Sequence, residues 1–469
     1  MTAPSAEAPL RLRLRRGRAL ELGEETLRHP GSLGGGEVWT PYDDVTHVAA
    51  TPAGLRLGTR SGAYWLRRAD FAERDAPERL AAALRARIAR RPGGFAQLER
   101  MARLDALAAR PGRARLGAAL ALACAGVFAV QLASPELAYA GVFSALLVRL
   151  GEPWRIVTAN FLHASPAHLL LNALGLAALG LLAERSLGGR GAGAAVALAG
   201  VGAMAASYAA GYEHALGASG LVYGLAGALL WLELRAPEAL PVAWRLPRRL
   251  FVGLLALETL LLVALPGIAH AAHAGGFLGG AVAAALAGPR LRAERRPRRA
   301  LALANGLALG LAVLAAAAWL RSALAPDVDA IARRGEALLE ADAVPPELLN
   351  NEAWRIAIAP EPGGRALRVA QGMAERAAEE TGWSDPAVLD TLAEIHFAAG
   401  RTGEALRLAD AAIALAPEEP YYREQRRRFA GERPRDARPR GPGPSEPPGA
   451  PERPRPRERE ERDEPGLRV

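Results

Sequence analysis

The stretch "HALGASGLVYGLAGALLWLEL", residues 214–234, opens as a polar loop and continues as an apolar run of near-membrane length. One serine, Ser219, stands at the start of that run, flanked by Gly217 on one side and Gly220 on the other. A hydroxyl there reads in three ways: a helix N-cap, a packing residue or a nucleophile. The run is one of several apolar segments close to the roughly 20 residues that a helix needs to cross a hydrocarbon core. Spans are expected at residues 115–133, 166–184, 191–210, 218–234, 249–266, 269–287 and 300–320, which makes the chain an α-helical polytopic membrane protein.

Composition agrees with that class. Of 469 residues 51% are hydrophobic, and they cluster in blocks. The 58 basic residues are all arginine against 49 acids, a net charge of +9 that gives no reason to expect nucleic acid. A single cysteine, Cys124, excludes an intramolecular disulfide. Arginines mark alternate loops: Arg110, Arg113 and Arg115 before the first span, then "ERSLGGRG", "RAPEALPVAWRLPRR" and "GPRLRAERRPRR". By contrast "GYEHALGASG" and "PGIAHAAH" have none. The positive-inside rule therefore predicts a cytoplasmic N-terminus, and seven spans put everything after Arg321 outside, in a bacterial cell membrane.

Outside the spans the chain changes character. Residues 10–69 alternate apolar and polar positions between turn residues and read as short antiparallel strands, followed by a helix at "APERLAAALRARIARR". Residues 1–95 are expected as a cytoplasmic α+β domain that resembles a pleckstrin-homology barrel or is an unnamed small fold. Residues 96–112 follow as a linker and 113–322 as the transmembrane domain. Residues 327–430 show the small/large spacing of tetratricopeptide helix pairs, with "ALRVA" and "ALRLA" recurring in equivalent places. Residues 431–469 are rich in Pro, Arg and Glu and are expected to be disordered.

Polar groups inside a membrane are costly, so the few present carry information. His163, His168 and Asn172 lie at the opening of the second span, Ser219 and Tyr223 at that of the fourth, and His270 and His273 at that of the sixth. The topology puts all of them near one face. His168 and Asn172 are four residues apart and share a helix face, as do Ser219 and Tyr223. Gly220 with Gly224, and Gly276 with Gly280, form two GxxxG patterns that let helices approach until their backbones touch. Contact between them brings Ser219 within reach of His273.

These residues resemble the rhomboid family of intramembrane serine proteases. The family's GxSG motif is matched by Gly217-Ala218-Ser219-Gly220, with Tyr223 four residues on. Its histidine motif is matched by "AHAGGFLGG", its HxxxxHxxxN pattern by His163, His168 and Asn172, and its first-loop pair by Trp154-Arg155. The resemblance covers roughly residues 113–290 and implies a six-helix core, here with a seventh helix added. It implies Ser219 as nucleophile and His273 as base, with the Ser219 N–H, His168 and Asn172 meeting the oxyanion. No acid in the spans is placed to complete a triad, so a dyad is expected. His163 is expected to hold its loop, Tyr223 to pack on His273, His270 to be a bystander, and Trp154 and Arg155 to anchor the loop at the lipid interface. No cofactor or metal is implied. The expected partners are the bilayer, transmembrane protein substrates, and a protein bound by the tetratricopeptide-like region, with the core cutting without that region. The competing reading is a catalytically silent rhomboid-like scaffold that binds membrane clients.

Overall fold

A computed structural model of the chain describes residues 10–14, 19–30, 36–110, 115–264, 268–293 and 299–436. Most of the expected disordered tail lies outside the described residues. Near the N-terminus, strands β1 (Leu10–Arg13), β2 (Ala19–Leu22), β3 (Thr26–Pro30) and β4 (Glu37–Pro41) pair in order as one antiparallel sheet. Strands β5 (Val45–Thr51), β6 (Gly54–Thr59) and β7 (Ala63–Arg67) form a second. Period-two alternation turns Leu20, Leu22, Leu27, Leu55 and Leu57 into one core, which helix α1 (Ala76–Ala89) covers with Leu80, Leu84 and Ile88.

The residues expected as a linker are instead helix α2 (Gly94–Ala109). Gln97, Met101, Leu104 and Leu107 recur at helical spacing and are buried, and Gln97 donates to the carbonyls of Tyr42 and Val45. The segment therefore finishes the N-terminal domain's core rather than leading away from it.

The apolar spans fold as helices. Helix α3 (Arg115–Ala133) is followed by the short helices α4 (Pro135–Gly141), α5 (Ala145–Arg149) and α6 (Arg155–Thr158). Next come α7 (Pro166–Ala209), α8 (Ser219–Arg235), α9 (Arg248–Ala264), α10 (His270–Ala287), α11 (Arg290–Ala293) and α12 (Arg299–Leu324). The second expected span and all but the last residue of the third lie in α7, whose 44 residues break helical geometry only at Gly188 (φ 76°, ψ 162°). The last two residues expected in the fifth span, 265 and 266, lie outside the described residues. By length and composition alone, α3, α7 and α12 are long and apolar enough to cross a membrane. Exposed leucines such as Leu122, Leu171, Leu255, Leu286 and Leu303 form the kind of apolar surface that lipid covers. The chain is an integral membrane protein.

Glycine sets the packing of this bundle. On α10, Gly276 and Gly280 lie against the carbonyls of Gly220 and Gly224 on α8, so that a Cβ at either would collide with backbone. The residues just before them, Gly275 and Gly279, meet Gly202 and Leu198 of α7 in the same way. Helix α10 thus has two small-residue faces, each in backbone contact with a neighbour.

Beyond α12, helices α13 (Val328–Glu340), α14 (Pro346–Ala357), α15 (Gly364–Glu380), α16 (Pro386–Ala398), α17 (Thr402–Leu415) and α18 (Pro420–Phe429) build a C-terminal region. It is packed on the membrane domain, not merely tethered to it. Leu147 of α5 lies in the same apolar cluster as Leu349 and Met373. Beside it runs a buried charge network. Glu152 pairs with Arg155 (2.6 Å) and Arg334 (2.9 Å), while Glu352 pairs with Arg355 (2.9 Å) and Arg334 (3.2 Å) and accepts from the Tyr139 hydroxyl (3.1 Å). Burial opposes ionisation of Glu352, but Arg355, Arg334 and Arg155 together outweigh it and hold the carboxyl well below the usual range. The expected interfacial anchor Arg155 is therefore a correction: it is 1% exposed and also donates to the carbonyls of Tyr139 and Val142. Trp154 likewise donates inward, to the Ala140 carbonyl.

The two folded regions occupy opposite ends of the bundle. The C-terminal region meets the α4–α6 loop, which forms a short antiparallel bridge, Phe143 to Ala215, just before Ser219. The N-terminal domain meets the segment after α8: the Val242 N–H donates to His47 Nδ1, and Arg245 donates to Thr46 while paired with Glu233 (2.6 Å).

Two outcomes follow for stability. Gly280→Ala is expected to lower the thermal midpoint of the full chain in detergent by several degrees, because two helix backbones must part. Gly253→Ala, where a Cβ meets nothing within 4 Å, serves as the unaffected control; equal midpoints for the two variants would refute the contact. Removing one partner of a buried pair leaves an uncompensated charge, so Arg355→Leu is expected to cost about 3 kcal/mol, and Glu352→Leu added to it should restore part of the loss.

Candidate active site

Ser219 begins α8, where the first N–H groups of the helix have no acceptor within it. The approach is shaped by Gly217, whose φ of +121° disfavours any side chain. A Cβ there would also lie 2.7 Å from His168 Cε1 and 2.8 Å from its Nε2, and 3.7 Å from Asn172 Nδ2. Both side chains therefore stand against the turn that leads into Ser219. His168 is in the first turn of α7, its N–H capped by the Ser165 hydroxyl, and Asn172 follows one turn later. Asn172 is buried, and its Nδ2 has no hydrogen-bond partner among the described residues.

The Ser219 Oγ lies 2.8 Å from His273 Nε2. His273 is 8% exposed on the first turn of α10, and the Tyr223 ring stacks flat on it, with centroids 4.3 Å apart and planes 7° from parallel. His163 does not join them. It is buried in its loop, where its backbone exchanges two hydrogen bonds with the Gln131 side chain, its Nδ1 lies 3.2 Å from the Phe161 carbonyl, and its ring meets His168 edge-on at 5.1 Å. Trp154 and Arg155 support the loop from a distance and do not reach the serine.

One residue was missed by reading the sequence. Glu258, from "LLALETLLLVA" on α9, places Oε1 2.7 Å from His273 Nδ1. The expectation that no acid approaches the histidine is thus corrected. His270 is no bystander either, since its Nδ1 lies 2.6 Å from the same oxygen, and the Tyr223 hydroxyl donates to Oε2. No spacing rule links residue 258 to 273, because the contact joins separate helices. The available signal was the acid itself, since an ionisable group inside an apolar span is functional by default.

Among the described residues, Glu258, His270 and His273 are the group able to hold a metal ion, their ligand atoms lying within 4.8 Å of one another. Ligands at about 2.0–2.1 Å around a tetrahedral ion stand about 3.3 Å apart. The observed 2.6 and 2.7 Å are hydrogen-bond lengths, so the carboxylate accepts directly from the two rings.

The family model of the rhomboid domain matches residues 150–290. The chain carries a rhomboid domain. It is 30% identical over 154 residues to "RHOMBOID-like protein 5" of Arabidopsis thaliana, covering 31% of this chain and 48% of that protein. It is also 30% identical over 173 residues to "Rhomboid protease GluP" of Bacillus subtilis, covering 35% and 32%. The similarity thus spans about half the length of such relatives, or less. The matched rhomboid domain runs from the α5–α6 turn through α10 and includes His168, Asn172, Ser219, Glu258 and His273; α3, α12 and both flanking regions lie beyond it.

Proposed function

We propose that the chain is an intramembrane serine endopeptidase, hydrolysing peptide bonds in or next to the transmembrane segments of other membrane proteins. The 2.8 Å contact between Ser219 Oγ and His273 Nε2, at the mouth of helices packed through glycine, carries this reading. The Ser219 O–H donates to the imidazole. As Oγ attacks the scissile carbonyl carbon, its proton passes to Nε2 and the carbonyl electrons move onto oxygen. That oxyanion meets the Ser219 N–H at the α8 N-terminus, the otherwise unpartnered Asn172 amide and the His168 ring. The C–N bond then breaks, and His273 returns the proton to the leaving amine. Water, deprotonated by the same nitrogen, hydrolyses the acyl-enzyme and restores the serine.

Arginine placement supports a cytoplasmic N-terminal domain, which puts the serine end and the docked C-terminal helices on the opposite side. A substrate helix would then present its outer end to Ser219. The C-terminal region, in this reading, braces the α4–α6 loop beside the site.

Activity is tested with a model transmembrane substrate in proteoliposomes. Ser219→Ala and His273→Ala are each expected to abolish cleavage, and Ser219→Ala to abolish labelling by a serine-reactive fluorophosphonate. Wild-type protein that neither cleaves nor labels would favour the silent scaffold. Asn172→Ala is expected to lower kcat about 10²–10³-fold with KM nearly unchanged, as for loss of one oxyanion donor. A rise in KM alone would make Asn172 a substrate-binding residue.

A further inference from the structure

We infer that Glu258 is the positioning residue of a three-membered relay, Ser219–His273–Glu258, an inference that rests on the hydrolytic reading above. A general base at Nε2 must have its lone pair there, so its ring proton has to sit on Nδ1. Glu258 Oε1, 2.7 Å away, accepts that Nδ1–H and selects the productive tautomer. When Nε2 takes the serine proton, the ring becomes an imidazolium facing a carboxylate across an interior of low dielectric, where opposite charges attract strongly. The proton stays on His273, and the carboxylate's part is to orient and to balance charge.

Glu258 is itself held in place. The His270 Nδ1–H is the second donor to Oε1, at 2.6 Å, and the Tyr223 hydroxyl donates to Oε2. Tyr223 thus serves twice, its ring against the imidazole and its hydroxyl against the carboxylate. The three donors come from α8 and α10, and the acceptor comes from α9. An acid in an otherwise apolar segment is costly to insert into a membrane. This one has both carboxylate oxygens engaged, by the base and by the two groups that frame it.

A merely structural role, tying α9 to the bundle, makes different predictions. The test uses the full chain in proteoliposomes with the same model substrate, comparing Glu258→Gln and Glu258→Asp with Gly253→Ala as the α9 control. Glu258→Gln is expected to lower kcat about 10²–10⁴-fold with KM within about twofold, because the amide can donate to Nδ1 and favour the wrong tautomer. Fluorophosphonate labelling should slow in parallel, with the thermal midpoint unchanged. Glu258→Asp, which keeps the charge, should recover at least about tenfold over the Gln variant. The inference is overturned if Glu258→Gln keeps kcat within about threefold of wild type. It is equally overturned if both variants lose activity together with thermal stability, which would make the residue a structural tie. Ser219→Ala distinguishes the two levels. If Ser219→Ala is inert while Glu258→Gln stays active, only the relay fails; if Ser219→Ala cleaves, the hydrolytic reading fails first.

Discussion

Backbone contact through glycine is the constraint on which the rest depends. Helix α10 lies against α8 through Gly276 and Gly280 and against α7 through Gly275 and Gly279, with no side chain between the backbones. Apolar side chains gain little from association in a medium as apolar as themselves, so van der Waals contact between close backbones holds such helices together. The same contact fixes the geometry of the candidate site. Ser219 and His273 each lie within a turn of a glycine contact, so their separation is set by backbone and not by long side chains able to change rotamer.

The polar groups of the candidate site are gathered at one end of the bundle. Each is framed by a neighbour: His168 by Gly217, His273 by Tyr223, Glu258 by His270 and Tyr223. In a low-dielectric setting a polar group without a partner is destabilising. Asn172 Nδ2 is an exception beside the serine, and in the proposed hydrolytic reading a developing negative charge supplies what it lacks.

Much of this was readable from the sequence wherever a local pattern encodes it. Period-two runs marked the strands, apolar length marked the helices, and GASG with AHAGG placed Ser219 and His273 on faces that meet. What escaped depends on distant chain segments coming together. Glu258 looked like a stray acid because its partners lie on two other helices. Arg155, read as an interfacial residue, is buried because Glu152 and the carbonyls of Tyr139 and Val142 surround it. Helix α2 passed for a linker because its stripe of Gln97, Met101, Leu104 and Leu107 begins with a polar residue, whose amide caps two carbonyls of the sheet region.

The docked C-terminal helices carry a consequence for the order in which the molecule is assembled. Tyr139 and Glu352, joined by a hydrogen bond, are 213 positions apart in the chain. A ribosome makes the α4–α6 loop long before it makes Arg334, Glu352 and Arg355. Until then Glu152 has Arg155 alone, and Leu147 has no apolar cluster to enter. Contacts of such long separation form late, after the entropy of closing the intervening chain has been met. The end of the bundle that holds the serine is therefore completed only after α12 and the first helices of the C-terminal region have been made.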